Sequence, residues 1–151
     1  MTSQILELAD ARGQIVALLA EFTFRVDRGE PVGHLFQEQA VYRTPRGDTR
    51  GRDAIATLFA SVGESRKLTG HVTRHSTTDV HVLRVSSSRF ESRSLLMAFA
   101  LETPTSAMGS LLVADHVDIV DCESDGAYRF VQRTLSPALQ FSLPNKSAVT
   151  A

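Results

Sequence analysis

The sequence predicts an α+β fold: a strongly curved, mainly antiparallel sheet wrapped around about three helices to form a cone-shaped barrel. Helical apolar spacing is confined to roughly the first 66 residues, and long β-branched and aromatic segments divided by turn signals fill the rest. Helices first and strands after is the order of an α+β domain, not of alternating βα units. The chain of 151 residues, 42% hydrophobic and 22% charged, is one domain in size and able to bury a core without disulfides. We therefore expect one domain over residues 1–141 and a flexible, small and polar tail over residues 142–151.

From about Leu8 to Arg28 the pattern is helical, with Ile15, Val16, Leu18, Leu19, Phe22 and Val26 on one arc. Gly29 stands where a C-terminal cap belongs. Pro31 to Phe36 reads as one further helical turn that starts on proline. Ala40–Thr44 is strand-like, followed by a Pro-Arg-Gly-Asp turn and a short return through Thr49 and Arg50. Asp53–Val62 is helical again, with Ile55, Leu58, Phe59 and Val62 at core spacing. Four long strands are expected over Leu68–Val85, Arg89–Glu102, Met108–Cys122 and Tyr128–Phe141. A sheet curved around helices encloses a cavity, where a ligand would sit.

Composition removes several classes of function. The net charge of −1 and the absence of a basic stripe argue against nucleic acid. No run approaches membrane-spanning length, and Ile15–Ala20 is too short and wrongly flanked for a signal peptide. The single Cys122 fits a reducing compartment, so a cytoplasmic location is expected. No HExxH, CxxC or Asp-rich loop is present, and His71 and His75 on a strand would stand about 13 Å apart, so no metal site is expected.

Asp27 is the most informative carboxylate. It lies eleven positions from Val16, about 20° away on a helix, which puts it at the rim of the apolar arc. In the last turn the helix dipole disfavours its charge. It either orients a nearby histidine, as the carboxylate of a catalytic triad does, or pairs with Arg28 and solvent. His71, Thr73, His75, Thr77 and Asp79 alternate onto one strand face, with Leu68, Val72, Val80 and Val82 on the other. The polar face points to water in an ordinary sheet and to the cavity in a closed cone, where His75 would suit acid–base work. His71 would lie nearer the rim. Tyr42 either donates a hydrogen bond in the pocket or caps an edge strand. Asp115 interrupts an apolar strand and is a second pocket carboxylate, a solvent group or a subunit contact. Met97, Phe99 and Leu101 alternate with Ala98 and Ala100, which fits pocket lining on one side and helix or subunit contact on the other. Arg43, Arg46, Arg50 and Arg52 cluster at the hairpin, as a phosphate site or, more ordinarily, a solvated edge.

Several segments carry a resemblance. Val26-Asp27-Arg28-Gly29-Glu30 ends the first helix; Leu35-Phe36 and Ala40-Val41-Tyr42 lead into the first strand; Gly51-Arg52-Asp53-Ala54-Ile55 starts the next helix. Thr73-Arg74-His75-Ser76-Thr77-Thr78-Asp79 and Asp125-Gly126-Ala127-Tyr128-Arg129-Phe130 follow. In this order, over roughly residues 12 to 135, they resemble the SnoaL-like branch of the nuclear transport factor 2-like superfamily, nearest to its scytalone dehydratase-like enzymes. The resemblance implies a helix-end Asp paired with a strand His, pocket tyrosines, and neither metal nor organic cofactor. The matching residues are Asp27, His75 and Tyr42. Val26 stands where a second tyrosine is expected, Asp79 where an Asn is, and Ser94 near a polar position that is His in some relatives.

Two functions follow. One is a cofactor-free lyase or isomerase, dehydratase- or dehydrochlorinase-like, acting on a small hydrophobic or cyclic molecule. Asp27 and His75 would be catalytic, and Tyr42, His71, Ser94, Met97 and Asp115 would contact substrate. The other is a non-catalytic ligand carrier or an assembly subunit like the small β subunit of ring-hydroxylating dioxygenases. Either way a homodimer or homotrimer is expected, because the outer face of an open curved sheet needs cover.

Overall fold

The predicted N-terminal apolar arc forms a long helix, α1 (Thr2–Arg28). The computed structural model describes residues 2–103, 105–106 and 108–144. Ala11, Ile15, Leu18, Leu19, Phe22 and Val26 are buried at three- and four-residue steps, whereas Val16 is 41% exposed and lies outside the core. Gly29, at φ +67°, ends the helix as expected. Its N–H donates to the Val26 carbonyl (3.3 Å) and that of Glu30 to the Arg25 carbonyl (2.9 Å), a Schellman cap.

The predicted extra turn contracts to a 3₁₀ turn at Gly33–Leu35. Strands β1 (Phe36–Thr44) and β2 (Gly47–Arg50) form the hairpin. Helix α2 (Arg52–Thr69) runs seven residues past the predicted end. Glu64, Arg66, Lys67 and Leu68 have no apolar period but are good helix formers, and Gly70 at φ +70° stops them. Leu68 is accordingly 87% exposed, and the next strand starts at Val72. A Cβ on Gly63 of α2 would lie 3.1 Å from the Gly29 Cα, so the end of α1 meets the body of α2 where neither residue carries a side chain. Among the described residues the fold thus has two α-helices and one short 3₁₀ turn in place of about three helices.

Four long strands follow: β3 (Val72–Arg84), β4 (Arg89–Leu101), β5 (Met108–Cys122) and β6 (Tyr128–Pro144). Strand β6 continues past Phe141 into the first residues of the predicted tail, and residues 145–151 lie outside the described residues. The sheet order is β2-β1-β6-β5-β4-β3, and among the described residues only the β1–β6 pair is parallel. The sheet is curled but not closed, since β2 and β3 remain unpaired edges. Helix α1 lies against β3 and α2 against β1.

The sheet changes phase at bulges. Thr78 pairs with Leu95 but His81 with Arg93, so β3 carries one extra residue. Before it, Thr73, His75 and Thr77 face inward; after it, Val80 and Val82 do. The predicted continuous alternation through Asp79 therefore fails at Asp79 itself, which is exposed and sits at φ +52°. One strand thereby presents a polar face to the cavity and an apolar face to the core. Asp79→Val is expected to destabilise the protein by about 1–2 kcal/mol in urea unfolding, because a β-branched residue resists left-handed backbone, while Asp79→Gly stays within about 0.5 kcal/mol. A second bulge at Val131 turns both Phe130 and Arg133 inward on β6. Phe130 joins Phe22 (5.9 Å between ring centroids) and Phe36 (5.1 Å), and Phe59 meets Phe22 at 5.2 Å, forming the aromatic centre of the core.

Candidate active site

Asp27 leaves α1 one residue before the helix's last position and points at β3. Its Oδ1 lies 2.6 Å from His75 Nδ1, its Oδ2 accepts the His75 backbone N–H at 2.9 Å, and Thr73 Oγ1 donates to Oδ1 at 3.4 Å. The side chains are 7% and 14% exposed. A carboxylate accepts, so Nδ1 carries the proton and the lone pair of a neutral His75 sits on Nε2. Arg66 of α2 stands close by, donating Nη1 to the Val26 carbonyl (3.2 Å). Burial pulls its guanidinium below the ordinary arginine range, and the charge of Asp27 opposes that pull.

Facing this pair is a second polar group that sequence reading did not single out. Arg133 of β6 is fully buried, with its guanidinium 4.3 Å from the Phe22 ring and 4.7 Å from the Phe130 ring. Its Nη2 lies 2.7 Å from His116 Nδ1, and its Nε is 3.5 Å from Asp118 Oδ1. Burial, then Arg133 and His75, push His116 down to about 2. Burial pushes Asp118 up to about 6 against the attraction of Arg133. His116 is therefore a neutral imidazole, and Arg133, which can only donate, leaves the ring proton on Nε2.

Both histidines line one cavity of about 110 Å³ among Phe22, Phe59, Leu96 and Leu112. Tyr42 lines it too, stacked edge-on against Phe59 at 5.3 Å, and burial raises its hydroxyl above the ordinary tyrosine range. That hydroxyl is a donor at neutral pH. Ser94 is buried on the inner face of β4 in register with His116, its Oγ without a partner among the described residues, but it is not among the side chains that line the cavity. The other predicted contacts fall elsewhere. His71 precedes β3 and lines a wider open groove of about 760 Å³ beside α2, which meets the cavity at Arg66. Met97 is not a cavity residue: alternation on β4 points Leu96 and Ala98 inward and Met97 outward. Asp115 is exposed on the outer face of β5, where Ala114 and His116 take the inner positions. Arg43 and Arg50 pair with Asp48 (3.5 and 2.8 Å), and Arg52 donates to the Phe36 carbonyl (2.8 Å), as a hairpin edge does. Among the described residues no three His, Cys, Asp or Glu side chains are grouped to hold a metal ion.

No functionally curated protein matches the sequence. Solved structures share the fold. A putative scytalone dehydratase from Novosphingobium aromaticivorans DSM 12444 is 20% identical, with 97% of this chain and 94% of that chain covered at a TM-score of 0.77. The hexachlorocyclohexane dehydrochlorinase LinA-type3 from Novosphingobium barchaimii LL02 is 17% identical, with 91% and 93% covered at 0.76. A putative aromatic ring hydroxylase from Novosphingobium aromaticivorans is 14% identical, with 94% and 98% covered at 0.74. The SnoaL-like domain family matches residues 7–134, nearly the whole of the described structure, and the chain belongs to that family.

Proposed function

We propose that the protein is a cofactor-free lyase or isomerase that removes a carbon-bound proton from a small cyclic molecule. The observation that carries this reading is the 2.6 Å contact between Asp27 and His75 at the wall of a mostly apolar cavity. Asp27 orients the ring and balances the charge it gains, and His75 Nε2 takes the proton. Tyr42 donates to the opposite end of the substrate. The imidazolium then returns the proton, to a departing hydroxyl in a dehydration or to another carbon in an isomerisation. A cavity of about 110 Å³ is smaller than the roughly 150 Å³ that holds benzene, so it encloses the reacting part of a ring, and the rest of the substrate would extend toward the groove it meets at Arg66. The names of the dehydratase and dehydrochlorinase that share the fold point the same way.

The test is a turnover screen of cyclic β-hydroxy ketones, enones and polychlorinated cyclohexanes. Wild type is expected to convert at least one class, and His75→Ala to lose about 10²–10⁴-fold in kcat. Equal turnover by wild type and His75→Ala would sink the mechanism. A larger chain co-purifying at fixed stoichiometry, with no turnover of any class, would replace it by the assembly reading.

The proposal includes a homodimer or homotrimer in a reducing, cytoplasmic setting, which the lone Cys122 supports. The outer sheet face supports self-association: Phe99 and Phe141 are 44% and 47% exposed and flank Leu111 in the pairing. An apolar face of this kind is covered in a stable protein. Light scattering at micromolar concentration is expected to give two or three chain masses; a monomer refutes it.

A further inference from the structure

We propose that His116 is a second catalytic residue, a neutral imidazole whose Nε2–H is locked toward the cavity to hold a substrate's carbonyl oxygen as it becomes an enolate. The inference rests on the proton-abstraction reading and narrows its substrate class to cyclic ketones and enones, since a haloalkane presents no oxygen to such a donor.

The lock is built from the strand registers. The Val131 bulge turns Arg133 inward, and its guanidinium rests against the rings of both Phe22 and Phe130. Held there, Arg133 places Nη2 at 2.7 Å from His116 Nδ1. A guanidinium never accepts a hydrogen bond, so Nδ1 must be the acceptor and the ring's one proton resides on Nε2. Asp118, two residues along the same inner face of β5, sits by Arg133 Nε and balances its charge without reaching the imidazole. Across the cavity the logic is inverted. Asp27 can only accept, so His75 keeps its proton on Nδ1 and turns a lone pair to the substrate. One cavity therefore holds two histidines in opposite tautomers, an acceptor and a donor, each set by a partner behind it. Tyr42 on β1 and Arg66 on α2 are the other titratable groups facing this space.

The electron flow balances. The C–H pair next to the carbonyl becomes the C=C bond of the enolate as its proton moves to His75 Nε2. The carbonyl π pair moves onto oxygen, which accepts the His116 hydrogen bond. His116 transfers no proton, and a neutral imidazole suits this work because its hydrogen bond strengthens only as the oxygen gains charge.

Two measurements decide it. Nitrogen NMR of ring-labelled histidines in the wild-type protein is expected to show His116 neutral, with its proton on Nε2, throughout about pH 5 to 8, where an ordinary histidine titrates. A proton on Nδ1, or an imidazolium in that range, overturns the proposal. The second uses 4-fluorophenol, whose phenolate oxygen mimics an enolate, followed by fluorine NMR. His116→Leu is expected to weaken binding of the phenolate about ten- to a hundredfold, the value of a hydrogen bond to a charged group, while His116→Gln, which keeps a donor, stays close to wild type. Unchanged affinity in His116→Leu, or no phenolate uptake by wild type, overturns it. If both measurements succeed and no ketone, enone or chlorinated ring is turned over, the donor site stands and the lyase reading fails. If ketones turn over while the proton lies on Nδ1, the lyase reading stands and this one fails.

Discussion

Replacing Asp27 by Asn is expected to lower kcat on the substrate found by the screen by about 10²–10⁴-fold, with KM nearly unchanged. The reason is a count of acceptors. Asp27 receives hydrogen bonds from three donors: Thr73 Oγ1, the His75 backbone N–H and His75 Nδ1. The Asn amide has one oxygen, and its NH₂ must face a donor wherever it turns. Either the backbone contact or the ring contact is lost. The ring then swings or changes tautomer, leaving Nε2 protonated and no longer a base. Binding is spared because Asp27 lies behind His75. A kcat within threefold of wild type, in a variant that binds normally, would remove Asp27 from the mechanism.

The second large effect concerns acid stability. His116, held down at about 2, is neutral in the fold, so its contribution is present above its ordinary value of about 6.5 and is lost as pH falls. Asp118, held up at about 6, behaves oppositely: its contribution is full below the unfolded value near 3.8 and is lost as pH rises through 6. Each slope is about 1.4 kcal/mol per pH unit. Between about pH 4 and 6 the unfolded chain holds a proton on the histidine while the native chain holds one on the aspartate, and the two slopes cancel. Asp118→Asn removes the compensating one. Its stability is expected to fall relative to wild type by about 3 kcal/mol between pH 6 and pH 4. Urea unfolding at pH 6, 5 and 4 reads this directly, and parallel curves for the two proteins would contradict it.

Much of this was legible in the sequence. The α1 stripe, the Gly29 cap and the order of elements follow from local spacing and turn chemistry, which need no tertiary information. Asp27 and His75 were found at a helix rim and a strand face, but their contact required knowing that α1 crosses β3. What was hidden is strand parity. On β5, Leu111, Val113, Val117 and Ile119 are as apolar as Leu112, Ala114 and Val120, so alternation did not say which set is inside. Asp115 breaks an apolar run yet lies outside, whereas His116 and Asp118, two apart and hence on one face, are the pair inside. The bulges at Asp79 and Val131 compound this by reversing parity within a strand, and no residue type announced either. Arg133 became a buried cation for that reason.

The lone parallel pairing has a consequence for how the chain reaches this structure. Strands β3 to β6 form a meander of neighbours, whereas β1 joins β6 through partners such as Phe36 and Phe130, more than ninety residues apart in sequence. Closing so long a loop is slow relative to zipping adjacent hairpins. The meander is thus expected to form early in folding and β1 to dock late. His75, His116 and Arg133 stand on the part that forms first, while Tyr42 rides in on β1. A refolding chain would carry these polar groups on one wall, open to water, before β1 brings Tyr42 to the opposite side.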